Sequence, residues 1–490
     1  MSKEEEKQLN NLILNYINGE WIPAKNGDVI ERVNPANTNE VVGMIQSSQK
    51  EDVHLAVQAA KKAYKTWSRI SSVNRGQYLE KAAVLLEKRA DEIAGTATKE
   101  MGKIFSETKG EVIRGAAILR YYAQEGMRQQ GEVLPSASNE KLLFTKRVPL
   151  GVVGVISPWN FPIAIPIWKI APALVYGNTV VFKPAEETGI TAAKIVEVFS
   201  EAGLPEGVLN LVNGNGPVVG NALVEHHDVC AITFTGSNGV GREIAQKAAK
   251  RGAKYQLELG GKNPAIVLED ADLELATDLI VAGAMKQTGQ RCTATSRVYI
   301  HEQVYEPFKE RLLEKIHSLK IGEGMDPEVQ MGPVASKKQY EKIISYIQKG
   351  IEEGASLLIG EKDPTFHHGY YIKPAVFENV TQDMTIAREE IFGPVLCLFK
   401  VKNYEEAIQK ANDTNFGLSA ALFTRNLGRT FQFMDDIEAG LIQINGETGG
   451  AEPQAPFGGM KDSSSYSREQ GQAAKEFFTT FKTITVLPVQ

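Results

Sequence analysis

From Gly151 onward the chain alternates unbroken apolar runs with longer stretches whose apolar residues recur every three or four positions. The runs GVVGVIS (151–157), NTVVF (178–182), VLNLV (208–212) and VCAITF (229–234) are rich in β-branched residues, which predicts strands buried on both faces. Helical periodicity fills Thr191–Glu201 and Val218–Glu225 between the later three. A second series follows: NPAIVL (263–268), SRVYI (296–300), AVFENV (375–380), VLCLFKV (395–401), SAALF (419–423) and LIQIN (441–445). Helical patterns such as Tyr305–Leu319 and Lys337–Glu353 separate these runs. Doubly buried strands joined by helices make parallel sheets covered on both faces, so the pattern predicts an α/β fold of two doubly wound domains with parallel-sheet cores. The length agrees, because 490 residues exceed the roughly 250–300 that one hydrophobic core supports.

Two stretches depart from this rhythm. FKTITVL (481–487) alternates like a strand but has no partner nearby in sequence, which predicts pairing with another subunit. From Val148 to Phe182 the only charge is Lys169, yet five prolines and three glycines interrupt the apolar residues. That density predicts buried strands and turns rather than a membrane-spanning helix. The acidic N-terminus has no apolar run behind a basic flank and does not read as a signal peptide.

Composition narrows the class. A 42% hydrophobic and 23% charged chain is ordinary for a globular protein, and a net charge of -6 gives no electrostatic footprint for nucleic acid or an anionic membrane. Three cysteines, Cys230, Cys292 and Cys397, are too few for a disulfide framework and point to a reducing, cytoplasmic compartment. No metal-ligand spacing is assigned.

Five segments carry candidate chemistry. In GQRCTATSR (289–297), Cys292 follows the end of a helical pattern in a loop of small polar residues, and the preceding Arg291 is expected to favour its thiolate. A buried, inert thiol is the alternative, and it is the reading for Cys230 and Cys397, which sit inside apolar strands. In LELGGKNP (257–264), Glu258 lies between two leucines, where desolvation raises a carboxyl group towards the range of a general base; a solvated edge-strand Glu is the alternative. In SPWNFPI (157–163), Asn160 follows a strand end and can donate to an oxyanion, or serve only as a turn residue. FTGSNGVG (234–241) runs from a strand through glycines into a helix, presenting free N–H groups to an anion. FKPAEET (182–188) places Lys183 and Glu186 after another strand, within reach of ribose hydroxyls.

Together and in this order, these segments resemble the aldehyde dehydrogenase family, from YINGEW (16–21) to the C-terminus, with EEIFGPV (389–395) and PFGGMK (456–461) included. ILRYYAQEGMR, GVVGVISPWNFPIAIPIWK and PFGGMKDSSSYSREQG are similar to its bacterial 2-oxoglutarate semialdehyde (2,5-dioxovalerate) branch. The resemblance implies a Rossmann-like NAD(P)-binding domain over 1–127 and 148–260, a catalytic domain over 261–465, and a β oligomerisation arm from 128–147 and 466–490. It implies Cys292 as nucleophile, Glu258 as general base, Asn160 with the Cys292 N–H as oxyanion hole, and Lys169 and Glu469 as a proton relay. The NAD or NADP site it implies comprises Ile156, Ser157, Pro158, Trp159, Lys183, Glu186, Gly216, Gly236, Ser237, Val240, Gly241, Leu259, Glu390 and Phe392. Arg114, Phe161, Trp168, Arg291, Thr293 and Phe457 match positions facing the substrate.

The activity so implied is oxidation of an aldehyde through a Cys292 thioester that water hydrolyses, by a homodimer or homotetramer. Arg114 and Arg291 favour an acidic semialdehyde, since an unpaired cation in an apolar tunnel asks for an anionic ligand. The alternative for Arg114 is a solvated helix face beside Glu107 and Glu111. Succinate semialdehyde or a broad range of aldehydes are alternative substrates. A CoA-acylating enzyme is disfavoured by Glu258, and an inactive structural protein by the presence of Cys292, Glu258 and Asn160 together.

Overall fold

The computed structural model describes residues 12–361 and 368–488; the acidic N-terminal segment, which does not read as a signal peptide, lies outside them. Two seven-stranded sheets organise the chain. The first runs, in spatial order, Lys254–Glu258, Val229–Thr235, Val152–Ile156, Thr179–Lys183, Leu209–Leu211, Asn15–Ile17 and Glu20–Ile22. Its first five strands are parallel and the N-terminal pair is antiparallel. The second runs Ser356–Ile359, Ala375–Glu378, Val395–Val401, Thr295–His301, Asn263–Val267, Ser419–Phe423 and Leu441–Ile444. It is parallel except for the antiparallel edge strand Ser356–Ile359. Every apolar run read as a strand forms one, and separate clusters of buried aliphatic side chains cover the faces of both sheets.

Register decides what meets at the sheet's edge. Ile156 lies beside Lys183 and Phe234, and Thr235 lies beside Glu258. Four strands therefore end together, and the loops leaving them carry Ser157–Phe161, Glu186, Gly236–Ser237 and Leu259–Gly261. Open α/β sheets bind ligands at this carboxyl end of their strands.

Two expectations are corrected, and the C-terminal strand gains a partner within the chain. The stretch read as strands and turns contains a wholly buried helix, Ala164–Val175. Pro166 falls in its first turn, where no intrahelical donor is lost, and packing between the sheet and the Phe105–Glu125 helix overrides the interior Pro172. The C-terminal strand, Thr479–Val486, pairs antiparallel with Leu142–Pro149 of the same chain, a partner too distant in sequence for local pattern to reveal. Its other edge carries no strand among the described residues. Cys230 is exposed rather than buried, because the register slips between Val229 and Ala231 and turns its side chain outward. Among the described residues no helix is long and apolar enough to cross a membrane.

Candidate active site

The helix Leu273–Met285 starts on Asp272, whose carboxylate accepts the Leu275 N–H at 3.2 Å. Past its end, Gln287, Thr288 and Gly289 are all left-handed, with φ of 54°, 57° and 66°. This reversal brings the chain to Cys292. Only glycine fits at 289, since a Cβ there would stand 2.2 Å from the Gly393 carbonyl oxygen. Asn263 then pins the loop, its amide donating to the carbonyls of Cys292 and Ala294 at 2.8 Å each.

Burial works against the Cys292 thiolate. Burial, reinforced by the carboxylates of Glu390 and Glu258, pushes Cys292 up to about 12. Arg291 and the Thr293 N–H act in the lowering direction but are outweighed. The lowering expected from Arg291 is present but smaller than the effect of burial. Its guanidinium turns to Glu447 at 2.6 Å and to the carbonyls of Ala282 and Gly283, at 3.1 and 2.6 Å.

Asn160 is buried beside this loop and donates from Nδ2 to the Gln290 carbonyl at 3.0 Å. The other Nδ2 hydrogen and the Cys292 N–H have no protein acceptor among the described residues. Asn160 and Cys292 line one cavity of about 160 Å³ together with Pro158, Trp159, Gly236, Ser237, Leu259, Glu390 and Phe392. Trp159 and Phe392 meet there edge to face at 5.4 Å. Phe392 holds φ at 62°, a left-handed value unusual for a bulky residue, and Gln339 secures it by donating to the Ile391 and Phe392 carbonyls. Glu390 accepts the Gly261 N–H at 2.9 Å, and its carboxylate lies so close to Gly260 that a Cβ there would displace it.

Glu258 ends its strand almost fully buried. One carboxylate oxygen accepts from Ser464 at 2.7 Å; the other has no partner among the described residues. Burial holds its proton affinity well above the ordinary carboxylate range, the charge of Glu469 adds to this, and Ser464 and Lys169 oppose it. Lys169 pairs with Glu469, and Glu469 also accepts from Trp168 at 2.7 Å and Thr233 at 3.1 Å.

Other groups suit a dinucleotide. The hydroxyls of Ser157 and Thr235 are buried without partners among the described residues. The helix Asn238–Lys250 begins at Ser237 with no side-chain cap, leaving first-turn N–H groups for an anion. Lys183 is buried, its proton affinity lowered by desolvation, and it donates to the Pro184 carbonyl at 2.7 Å. Glu186 accepts the Gly216 N–H at 3.0 Å. Ile156, Ser157, Lys183, Glu186, Gly216, Val240 and Gly241 lie outside the lining of the cavity that holds Cys292.

A third group gathers around Trp168. The Arg114 guanidinium sits 5.9 Å from its ring, and Phe457 packs on it at 5.4 Å. Arg114 Nε is buried without a partner, and Arg114 has no ion pair among the described residues. The neighbouring acids are engaged elsewhere: Glu111 pairs with Lys103 at 2.6 Å and accepts from the Ile163 and Ala164 N–H groups, and Glu107 accepts from the Gln287 N–H. Phe161 lies under Lys103, 4.0 Å from ring centre to ammonium, and the Thr293 carbonyl accepts from Thr448 at 2.8 Å.

Sequence reasoning did not name Thr235, Gly260, Gln339 and Lys342 in the cavity, nor Ser464 beside Glu258. Gln339 and Lys342 lie three apart on the polar face of the Lys337–Glu352 helix, a pattern indistinguishable from a solvated surface. Ser464 stands in a run of three serines with nothing local to mark it.

Comparison with known proteins agrees with this geometry. Residues 21–484 match the model of the aldehyde dehydrogenase family. The chain is 59% identical over 481 residues to an alpha-ketoglutaric semialdehyde dehydrogenase of Bacillus subtilis, covering 98% of this chain and 99% of that one. It is 42% identical to a 2,5-dioxopentanoate dehydrogenase of Saccharolobus solfataricus, covering 95% and 97%. Among solved structures, the NAD+ complex of an aldehyde dehydrogenase from Bacillus cereus superposes with a TM-score of 0.95 at 38% identity, covering 99% of both chains.

Proposed function

This chain belongs to the aldehyde dehydrogenase family, and from that premise we propose that it oxidises an aldehyde bearing a remote carboxylate, such as 2-oxoglutarate semialdehyde, to the acid. Arg114 carries the specificity: a half-buried arginine whose Nε is enclosed without a partner, with no ion pair among the described residues, at an aromatic wall. A buried unpaired cation is costly, and a substrate carboxylate would offset that cost. The names of the relatives point to the same substrate class.

In this reading the Cys292 thiolate adds to the aldehyde carbon. The free Nδ2 hydrogen of Asn160 and the Cys292 N–H hold the resulting oxyanion. A nicotinamide dinucleotide, when bound, supplies the hydride acceptor that leaves a thioester on Cys292. Ser237 and the first turn of its helix would hold its pyrophosphate, Lys183 and Glu186 the adenosine ribose, and Glu390 the nicotinamide ribose. Glu258 then takes a proton from water, the hydroxide attacks the thioester, and the acid leaves as the thiolate is restored. The raised proton affinity of Glu258 suits a base near neutral pH, and Lys169 with Glu469 would pass its proton onward. Burial opposes the Cys292 thiolate, so in this reading its proton leaves as the thiol adds to the aldehyde.

The same reading divides the chain into a dinucleotide-binding domain over 1–127 and 148–260, a catalytic domain over 261–465, and an arm from 128–147 and 466–490. The free edge of Thr479–Val486 and the exposed Val133, Leu142 and Phe481 support a homo-oligomer, dimer or tetramer, built through that arm. Three free thiols are in keeping with cytoplasmic work. The deciding experiment ranks 2-oxoglutarate semialdehyde, succinate semialdehyde and neutral aldehydes of equal length by kcat/KM with NAD and with NADP. A preference for the neutral aldehydes would remove the assignment.

A further inference from the structure

Asn160 is gripped from both of its ends by one turn. Its side chain donates to the Gln290 carbonyl at 3.0 Å, and its own main-chain carbonyl accepts from the Gln287 side-chain amide. Gln290 closes the figure, donating from its side chain to the Gln287 carbonyl at 3.3 Å and accepting the Ala335 N–H at 3.0 Å. Gln287 is itself fixed. It is buried, left-handed at φ 54° and ψ 30°, and its N–H donates at 3.1 Å to Glu107, whose second carboxylate oxygen is buried without a partner among the described residues. A left-handed glutamine is unfavourable by itself and persists only where its surroundings hold it.

From this double contact we infer that Gln287 is a positioning residue for the oxyanion site, setting the distance between the Asn160 amide and Cys292, with Glu107 as its anchor. The inference rests on the oxyanion role proposed above for Asn160. The physical reason is geometric. Asn160 belongs to the loop after Val152–Ile156 in one sheet, and Cys292 to the loop before Thr295–His301 in the other. An oxyanion needs donors on both at hydrogen-bond distance at once, and a misplacement near 1 Å lowers a rate by about 10²-fold. The Gln287 amide is the side-chain group that ties the Asn160 backbone to the nucleophile's own turn.

Gln287→Asn tests this, because asparagine tolerates the left-handed turn while its shorter amide falls short of the Asn160 carbonyl. It is made alone and in an Asn160→Ala background. Two readouts are followed: steady-state aldehyde oxidation, and hydrolysis of p-nitrophenyl acetate without cofactor, which needs the thiol, the oxyanion donors and the base that hydrolyses the acetyl thioester, but no hydride transfer. Alone, Gln287→Asn is expected to lower both rates by about 10- to 100-fold with KM little changed. In the Asn160→Ala background the same change should matter by less than about twofold, since a residue acting through Asn160 has nothing left to position. An equal loss in both backgrounds, or wild-type ester hydrolysis by Gln287→Asn, overturns the inference. A wild-type rate for Asn160→Ala alone overturns instead the oxyanion reading beneath it. Should Gln287→Asn fail to fold, Glu107→Ala in the same two backgrounds releases the same turn from outside, with the same expected and overturning outcomes.

Discussion

Lys169 and Glu469 stand 300 residues apart in the chain and form an enclosed ion pair beside Glu258. Trp168 and Thr233 donate to the same carboxylate, so Glu469 is held on three sides. Its charge raises the proton affinity of Glu258 and Lys169 lowers it; both are smaller than the effect of burial. The pair therefore trims the proton affinity of a carboxyl group whose main setting is desolvation.

A pH dependence follows from this arrangement. A base acts when deprotonated, so a raised proton affinity puts the rising limb of kcat above the ordinary carboxylate range. Ser464 donates to the ionised carboxylate and favours it. Ser464→Ala is expected to shift that limb to higher pH with the alkaline plateau kept. A shift to lower pH in the kcat profile would contradict the assignment.

Cys292→Ala is expected to lower turnover more than about 10³-fold while cofactor binding, followed by fluorescence, persists. Cys397 is buried and Cys230 faces outward, so their alanine variants should keep activity. Loss of activity in Cys230→Ala together with a working Cys292→Ala would reassign the nucleophile.

Glu258→Gln keeps the shape of the side chain and removes the base. Hydride transfer should outlast it while hydrolysis slows by ~10²–10⁴-fold. Rapid mixing should show a burst of reduced cofactor, about one per active site, before slow turnover. An unchanged steady-state rate would take Glu258 out of the mechanism.

The two arginines should separate. Arg114 has no ion pair among the described residues, whereas Arg291 is bound to Glu447. Arg114→Ala is expected to raise KM for an acidic semialdehyde and leave a neutral analogue unaffected, since a remote carboxylate helps ground and transition states alike. Arg291→Ala should instead depress kcat for both, by loosening the Cys292 loop. Equal losses on both substrates in Arg114→Ala would end its role in specificity.

NAD should be used well and NADP accepted. At the proposed adenosine ribose site, Glu186 would oppose a 2′-phosphate by like charge and Lys183 would offer it a cation. Glu186→Gln is expected to raise kcat/KM for NADP relative to NAD. A fall in that ratio would show that Glu186 faces elsewhere.

Much of this molecule was legible in its sequence because strand burial is a local property. Runs such as GVVGVIS and VLCLFKV state their own environment, and the order of strands and helices implies parallel sheets. Cys397 could be set aside for the same reason, since a cysteine amid VLCLFKV is core. Tertiary structure decided everything that depends on which groups meet. Arg291 looked like a free cation until Glu447 took it, and the alternative of an acidic helix face for Arg114 lost ground only when Glu111 turned to Lys103. The thiol of Cys292 has an adjacent arginine in sequence and a raised proton affinity in the fold, because burial outweighs one neighbour that points away. Periodicity travels with the chain, whereas charge pairing, desolvation and the partner of an orphan strand are set by which residues the fold brings together.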